Sequence, residues 1–258
     1  MSKGCVRYTQ RDGVGHLLID NAAAYNAFDD DMWQELADHC TAIAADRSVR
    51  VVTIGGAGEK AFAAGNDIHG FLSFRDGMDG VAYEKRVGAC IEALENLPQP
   101  TVALIRGWAV GGGLAIALSC DFRIAAAGAR FGSPIARTLG NSLCMRNYAR
   151  ILSHLGPALT KRMLLLAEIM TAEELQPHGL LEAVVEPDAL DATAAALCDR
   201  LKQNAPLSLH VTKEALRRLT YANLPDMDDL IALAYGSEDF RHGVASFLAK
   251  TKPQWTGR

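Results

Sequence analysis

Apolar positions fall into two rhythms along the chain. Residues 14–20 (VGHLLID) and 49–56 (VRVVTIGG) are short runs rich in branched aliphatics, as strands are, while residues 30–45 space their apolar side chains at helical intervals. The pattern then repeats: residues 83–97 read as helix, 101–107 (TVALIRG) as strand, 113–119 as helix and 122–127 (FRIAAA) as strand. From Pro157 onward helical spacing dominates, and Thr171-Ala-Glu-Glu174 is a capping box, whose Thr and Glu side chains satisfy free N–H groups at a helix start. The helical tail from about Ser208 must pack on this body or on a neighbouring subunit. Alternating strands and helices predict an α/β layer architecture, and the sequence carries no internal repeat and no Pro/Gly/Ser linker.

Composition narrows the class. A chain of 258 residues, 49% hydrophobic and 22% charged, can bury the core of one main domain. A formal charge of −4 lacks the concentrated positive charge that phosphate neutralisation needs, so nucleic acid is not an expected partner. The most apolar stretch, residues 108–119, is shorter than the roughly 20 residues of a membrane span. The N-terminus has no apolar signal core, so the cytoplasm is the default location. The six cysteines include no C-x-x-C pair, which argues against a metal site or a disulfide framework.

Two glycine-rich turns carry the candidate chemistry. Gly56-Ala57-Gly58-Glu59-Lys60-Ala61 fits a loose dinucleotide-binding pattern, but Gly65-Asn66 interrupts the helix that should follow, and no second strand delivers an acid about 20 residues on. The better pairing sets Phe62-Ala63-Ala64-Gly65-Asn66-Asp67 against Gly111-Gly112-Gly113. Small side chains let backbone approach a ligand, and the first N–H groups of a helix lack intrahelical partners, so each turn can offer a donor to an oxyanion. For either turn alone, close helix packing by the glycines and capping by Asp67 explain the residues as well.

FAAGND (62–67) and GWAVGGGLAIALSCDFRIAAAGARFGSP (107–134) are similar, in order and spacing, to two signature segments of the enoyl-CoA hydratase/isomerase (crotonase) superfamily. NAAAYNAF (21–28), VTKEALR (211–217) and FRHGVASFLAKTKPQW (240–255) extend the resemblance over nearly the whole chain. It implies a spiral of ββα turns over residues 1–205, a helical trimerisation region over 206–258, and a homotrimer or dimer of trimers. It also implies an acyl-CoA substrate, coenzyme A being part of the thioester and not a bound cofactor, with the backbone N–H groups of Asn66 and Gly112 as oxyanion donors. By the same resemblance Ala23, Tyr25, Ala64, Asp67, Ile68 and His69 contact CoA, and Phe247 and Lys250 of the closing helix complete the site across a subunit boundary. Where the family carries a cation in the first CoA turn, Ala23 stands here.

The chain departs from the family's hydratases at the two glutamates that deliver and remove the protons of water addition: those positions hold Ala115 and Ile135, which transfer no proton. Other side chains are candidates. Cys144 falls near an aspartate that serves some relatives as base or nucleophile, or it is a small buried hydrophobe. Asn141 either orients a water or acyl group or stabilises a turn, and Arg137 either binds a substrate carboxylate or pairs with a surface acid. Tyr83 and Glu84 lie on a helix that lines the acyl pocket in relatives, or on a solvated helix face. The leading expectation is an acyl-CoA lyase or isomerase that stabilises a thioester enolate. Decarboxylation, thioester cleavage and non-catalytic acyl-CoA binding are the alternatives, and polar atoms in the acyl pocket would favour turnover over the last of these.

Overall fold

The inner strands are continuous apolar runs because helices cover both faces of their sheet. In the computed structural model, which describes residues 3–258, the chain runs β1 (Cys5–Arg11), β2 (Val14–Asp20), α1 (Asp30–Ala45), β3 (Val51–Gly56), β4 (Ala61–Ala63), α2 (Gly77–Glu95), β5 (Thr101–Ile105), β6 (Trp108–Val110) and α3 (Gly112–Ser119). It continues through β7 (Phe122–Ala126), β8 (Arg130–Gly132), α4 (Ile135–Thr138), α5 (Met145–Leu165), β9 (Met170–Thr171), α6 (Ala172–Leu175), β10 (Ala183–Val185), α7 (Leu190–Lys202), α8 (Pro206–Thr220), α9 (Asp228–Gly236) and α10 (Glu238–Ala249).

One sheet has the order β1-β2-β3-β5-β7-β10, parallel except for the antiparallel β1-β2 pair. A second sheet, β4-β6-β8-β9, collects the short strands that follow β3, β5 and β7, with β9 added antiparallel at its edge. Three successive turns, β3-β4-α2, β5-β6-α3 and β7-β8-α4, each give a strand to each sheet and then a helix, the ββα spiral that the resemblance implied. Val51, Val102 and Ile124 meet Leu190 and Leu197 of α7 on one side of the large sheet, and the main core fills the other.

Several elements differ from the pattern reading. In β1 only Val6 is buried, so the strand shows no periodic signal and is held by its pairing to β2. The helix read from Tyr83 starts earlier, at Gly77, behind an Asp76 capping box. Helix α5 likewise begins at Met145, ahead of Pro157; it is two segments joined at Gly156, whose φ of 65° breaks the run so that Pro157 opens the second. The Thr171 capping box closes as expected. The tail has no core of its own: Ile231, Tyr235, Phe240 and Val244 enter the main one, whereas α8 buries no residue. No helix among the described residues is long and apolar enough to cross a membrane.

Candidate active site

Strands β4 and β6 lie side by side and deliver the two glycine-rich turns to one place. At the first turn Phe28 pairs with Asn66: the Phe28 N–H donates to Gly65 O at 2.8 Å and the Asp67 N–H to Phe28 O at 2.7 Å. Both bonds use the groups flanking Asn66, so its own N–H points the other way, toward the second turn. Gly65, at φ +96°, lies so near that turn that a Cβ on it would sit 3.3 Å from the Gly112 nitrogen. Gly112 opens α3 and has no intrahelical acceptor, and neither its N–H nor that of Asn66 meets another acceptor among the described residues. Gly113 has a different task. A Cβ there would lie 2.0 Å from Ala63 O, so this glycine lets α3 press onto β4.

The Asn66 side chain adds a third N–H. Trp33 Nε1 donates to Asn66 Oδ1 at 2.7 Å, and since an indole only donates, the amide cannot be the other way round. Nδ2 then faces the second turn, 3.4 Å from where a Cβ on Gly112 would be.

Behind the two turns lies a cavity of ≈ 40 Å³, and in front of them a cleft of ≈ 520 Å³; Asn66 and Tyr83 line both. Glu84, buried at 6% exposure, lines the inner cavity with Asn66, Gly112 and Ala115. Its carboxylate accepts from Tyr235 Oη at 2.7 Å and from the Cys144 N–H at 2.8 Å. Burial pushes its pKa up to about 7, against these bonds, which pull it down. Tyr235 accepts in turn from Asn141 Nδ2 at 3.0 Å. At the far wall Arg150 is fully buried and engages Glu95 and Asn147. Burial raises the Glu95 carboxyl, but Arg150 and Arg146 more than offset it and hold the group below its usual range.

Other candidate residues sit apart from this cavity or take different parts. Cys144 is the N-cap of α5; burial and the nearby Glu84 charge push its thiol up to about 11, so it is not poised as a thiolate. Ile135 opens α4 outside the cavity lining, and Arg137 is exposed on the same short helix, which places it away from any carboxylate in the inner cavity. Ala23 and Tyr25 line a separate surface pocket of ≈ 340 Å³ with Lys60, and the Ala64 N–H donates to Tyr25 O. Asp67 caps the short 3-10 turn that begins at Ile68, accepting from the His69 N–H at 3.0 Å and contacting His69 Nδ1 at 2.7 Å. His69 is solvent-exposed, as are Phe247 and Lys250 at the end of α10.

Glu84 is the residue that pattern reading left undecided, and a signal for it exists. It stands on one stripe of α2 with Val87 at i+3 and Ile91 at i+7, a carboxylate in an apolar row. Nothing in the sequence joins it to Cys144 or Tyr235, which are 60 and 151 residues away.

Residues 9–258 match the family described as enoyl-CoA hydratase/isomerase. The chain is 31% identical over 251 residues to crotonyl-CoA hydratase of Syntrophomonas wolfei subsp. wolfei, with 94% of each chain covered. Among solved structures, an enoyl-CoA hydratase/carnithine racemase from Magnetospirillum magneticum superposes with a TM-score of 0.81 at 33% identity, covering 100% of this chain and 97% of the other. Methylmalonyl-CoA decarboxylase complexed with 2S-carboxypropyl-CoA gives a TM-score of 0.89 at 25% identity, with 100% of both chains covered.

Proposed function

Since the chain belongs to the enoyl-CoA hydratase/isomerase family, we propose that it is an acyl-CoA lyase or isomerase in which the N–H groups of Asn66 and Gly112 hold a thioester enolate and Glu84 moves the proton. The observation that carries this reading is a buried carboxyl, with a pKa raised to about 7, in the cavity that both donors line. A group with that pKa is present in both forms at neutral pH, which is what a general acid/base needs.

The chemistry follows from the placement. The thioester oxygen accepts from the two backbone N–H groups, ionised Glu84 takes a proton from carbon, and the electron pair moves onto the oxygen. Protonated Glu84 then returns the proton to a different carbon, giving an isomer, or the enolate expels a β-substituent, giving an enoyl ester. Either course needs one carboxyl, and Ala115 lines the cavity without supplying a second. The Glu84 carboxyl, a titratable group at the wall of this cavity, favours turnover over passive binding. The likeness to methylmalonyl-CoA decarboxylase favours one further reading, in which loss of CO₂ makes the enolate and protonated Glu84 quenches it. Arg137, exposed outside the cavity, would not hold the leaving carboxylate.

The C-terminal region from residue 206 is proposed to assemble a homotrimer. Leu207, Val211 and Leu219 stand exposed along α8, and Phe247 and Lys250 would reach a neighbour's CoA.

The test is a panel of short CoA esters incubated in deuterated water and read by mass spectrometry, with headspace CO₂ measured for malonyl-type esters. Deuterium should enter at the carbon next to the thioester, faster as pH rises through about 7, and Glu84→Gln should slow it by about 100-fold or more. Unchanged exchange in a folded Glu84→Gln protein would remove Glu84 from the mechanism. Release of CO₂ would select the second reading.

A further inference from the structure

The Asn66 carboxamide is tied at one end and free at the other. Trp33 Nε1 occupies its Oδ1 at 2.7 Å, whereas Nδ2 meets no acceptor among the described residues. The buried side-chain polar atoms that lack a partner are Tyr83 Oη, Gln99 Oε1, Ser133 Oγ and Asn141 Oδ1, so the unpaired Nδ2 is open to a ligand and not sealed in protein. Asn66 and Gly112 line the inner cavity together, and Nδ2 lies 3.4 Å from where a Cβ on Gly112 would be. The tied end is rigid. Trp33 is 2% exposed, and its ring centroid lies 4.3 Å from that of Phe28. Phe28 also pairs with Asn66 through its backbone, so one residue steadies both the anchor of the amide and the direction of the Asn66 N–H. Rotating the carboxamide to exchange its ends would strand the buried indole N–H without an acceptor.

We propose that Asn66 Nδ2 is a third donor to the thioester oxygen, beside the two backbone N–H groups, and that Trp33 is a positioning residue that keeps this donor end turned inward. The proposal rests on reading the two turns as an oxyanion site. While the thioester oxygen is a neutral carbonyl, a third hydrogen bond adds little that water did not already supply. Once the enolate forms, that oxygen carries charge, and hydrogen bonds to an ionised acceptor are roughly twice as strong as those between neutral groups. A donor already aimed at the site needs no reorganisation at that moment. Its benefit therefore falls on the charged state and raises kcat with little effect on KM. The sign of the group matters as much as its place. Asp at this position has nearly the same shape and still accepts from Trp33, but it presents an anionic acceptor where Asn presents a donor, and so repels the enolate.

Steady-state deuterium exchange into butyryl-CoA, read at the α-carbon, and into crotonyl-CoA, read at the γ-carbon, tests this. The unmodified protein is compared with Asn66→Ala, Asn66→Asp, Trp33→Phe and the double variant Trp33→Phe with Asn66→Ala, each first shown folded by thermal melting. Asn66→Ala keeps the backbone N–H, yet should lower kcat by about 100-fold while KM stays within about 3-fold. Asn66→Asp should be slower still. Trp33→Phe should cost about 10-fold in the unmodified protein and nothing further in the Asn66→Ala protein, where no amide remains to be oriented. If Trp33→Phe does not fold, the order of the two Asn66 variants decides alone. An unchanged kcat in Asn66→Ala, a loss confined to KM, or Asn66→Asp exchanging as fast as Asn66→Ala would overturn the third donor. A further loss from Trp33→Phe in the Asn66→Ala protein would overturn the positioning role. All of these leave the acyl-CoA reading standing, whereas exchange into neither ester by the unmodified protein would overturn both.

Discussion

Glu84 ties the candidate chemistry to stability. Its carboxyl is buried and its pKa is raised from 4.5 to about 7, so between those values the folded chain holds a proton that the unfolded chain has released. Stability from this group is fully present below about pH 4.5, falls as pH rises through about 7, and is level above that. The loss amounts to roughly 3 kcal/mol at about 1.4 kcal/mol per pKa unit. Gln never ionises and keeps one acceptor oxygen for the two donors, Tyr235 Oη and the Cys144 N–H, a loss that does not vary with pH, so the Tm of Glu84→Gln minus that of the unmodified protein should grow between pH 5 and pH 8. A difference independent of pH would show that the carboxyl does not titrate in this window. The position was half legible in the sequence, since the apolar stripe marks Glu84 as buried. The Asn66 amide was not legible, because its orientation depends on Trp33, 33 residues earlier in the chain.

At the scale of elements, what could be read depended on length. Most long strands and helices carry enough periodic positions to be recognised, β1 with its single buried residue being an exception, whereas β4, β6 and β8 have three residues each, too few for alternation to show. Yet β4 and β6 set the distance between the two candidate donors. Gly113 is the tightest point of that arrangement, its place for a Cβ lying 2.0 Å from Ala63 O, so Gly113→Ala should push α3 away from β4. Overpacking of this kind costs about 1–3 kcal/mol, or a fall of about 2–10 °C in Tm, and the displaced Gly112 N–H should weaken CoA-ester turnover further. Thermal melting and the deuterium-exchange assay on one preparation measure both effects. An unchanged Tm would mean that α3 has room this geometry does not show.

Across the whole molecule, α8 lies outermost and is tied down by polar bonds in place of a buried face. Lys213 donates to Gln99 O and pairs with Asp121 at 2.8 Å, and Arg146 stacks 3.8 Å from the Tyr221 ring just beyond the helix. With Leu207, Val211 and Leu219 exposed, the proposed trimer gives this helix the apolar partner it lacks. The double change Val211→Asp with Leu219→Asp should therefore lower the mass seen by sedimentation to that of a single chain, because an interface with two buried, unpaired carboxylates does not form. A native mass that matches one chain in the unmodified protein would count against the trimer. The inward-facing candidate donors follow another logic. The N–H groups of Asn66 and Gly112 belong to the main chain, and among the twenty residues only proline removes such a group. Random substitution can thus erase or exchange the proposed proton-moving carboxyl on α2 far more readily than the proposed oxyanion turns, so on this reading descendants of this chain can keep their grip on a thioester while drifting from one reaction to another.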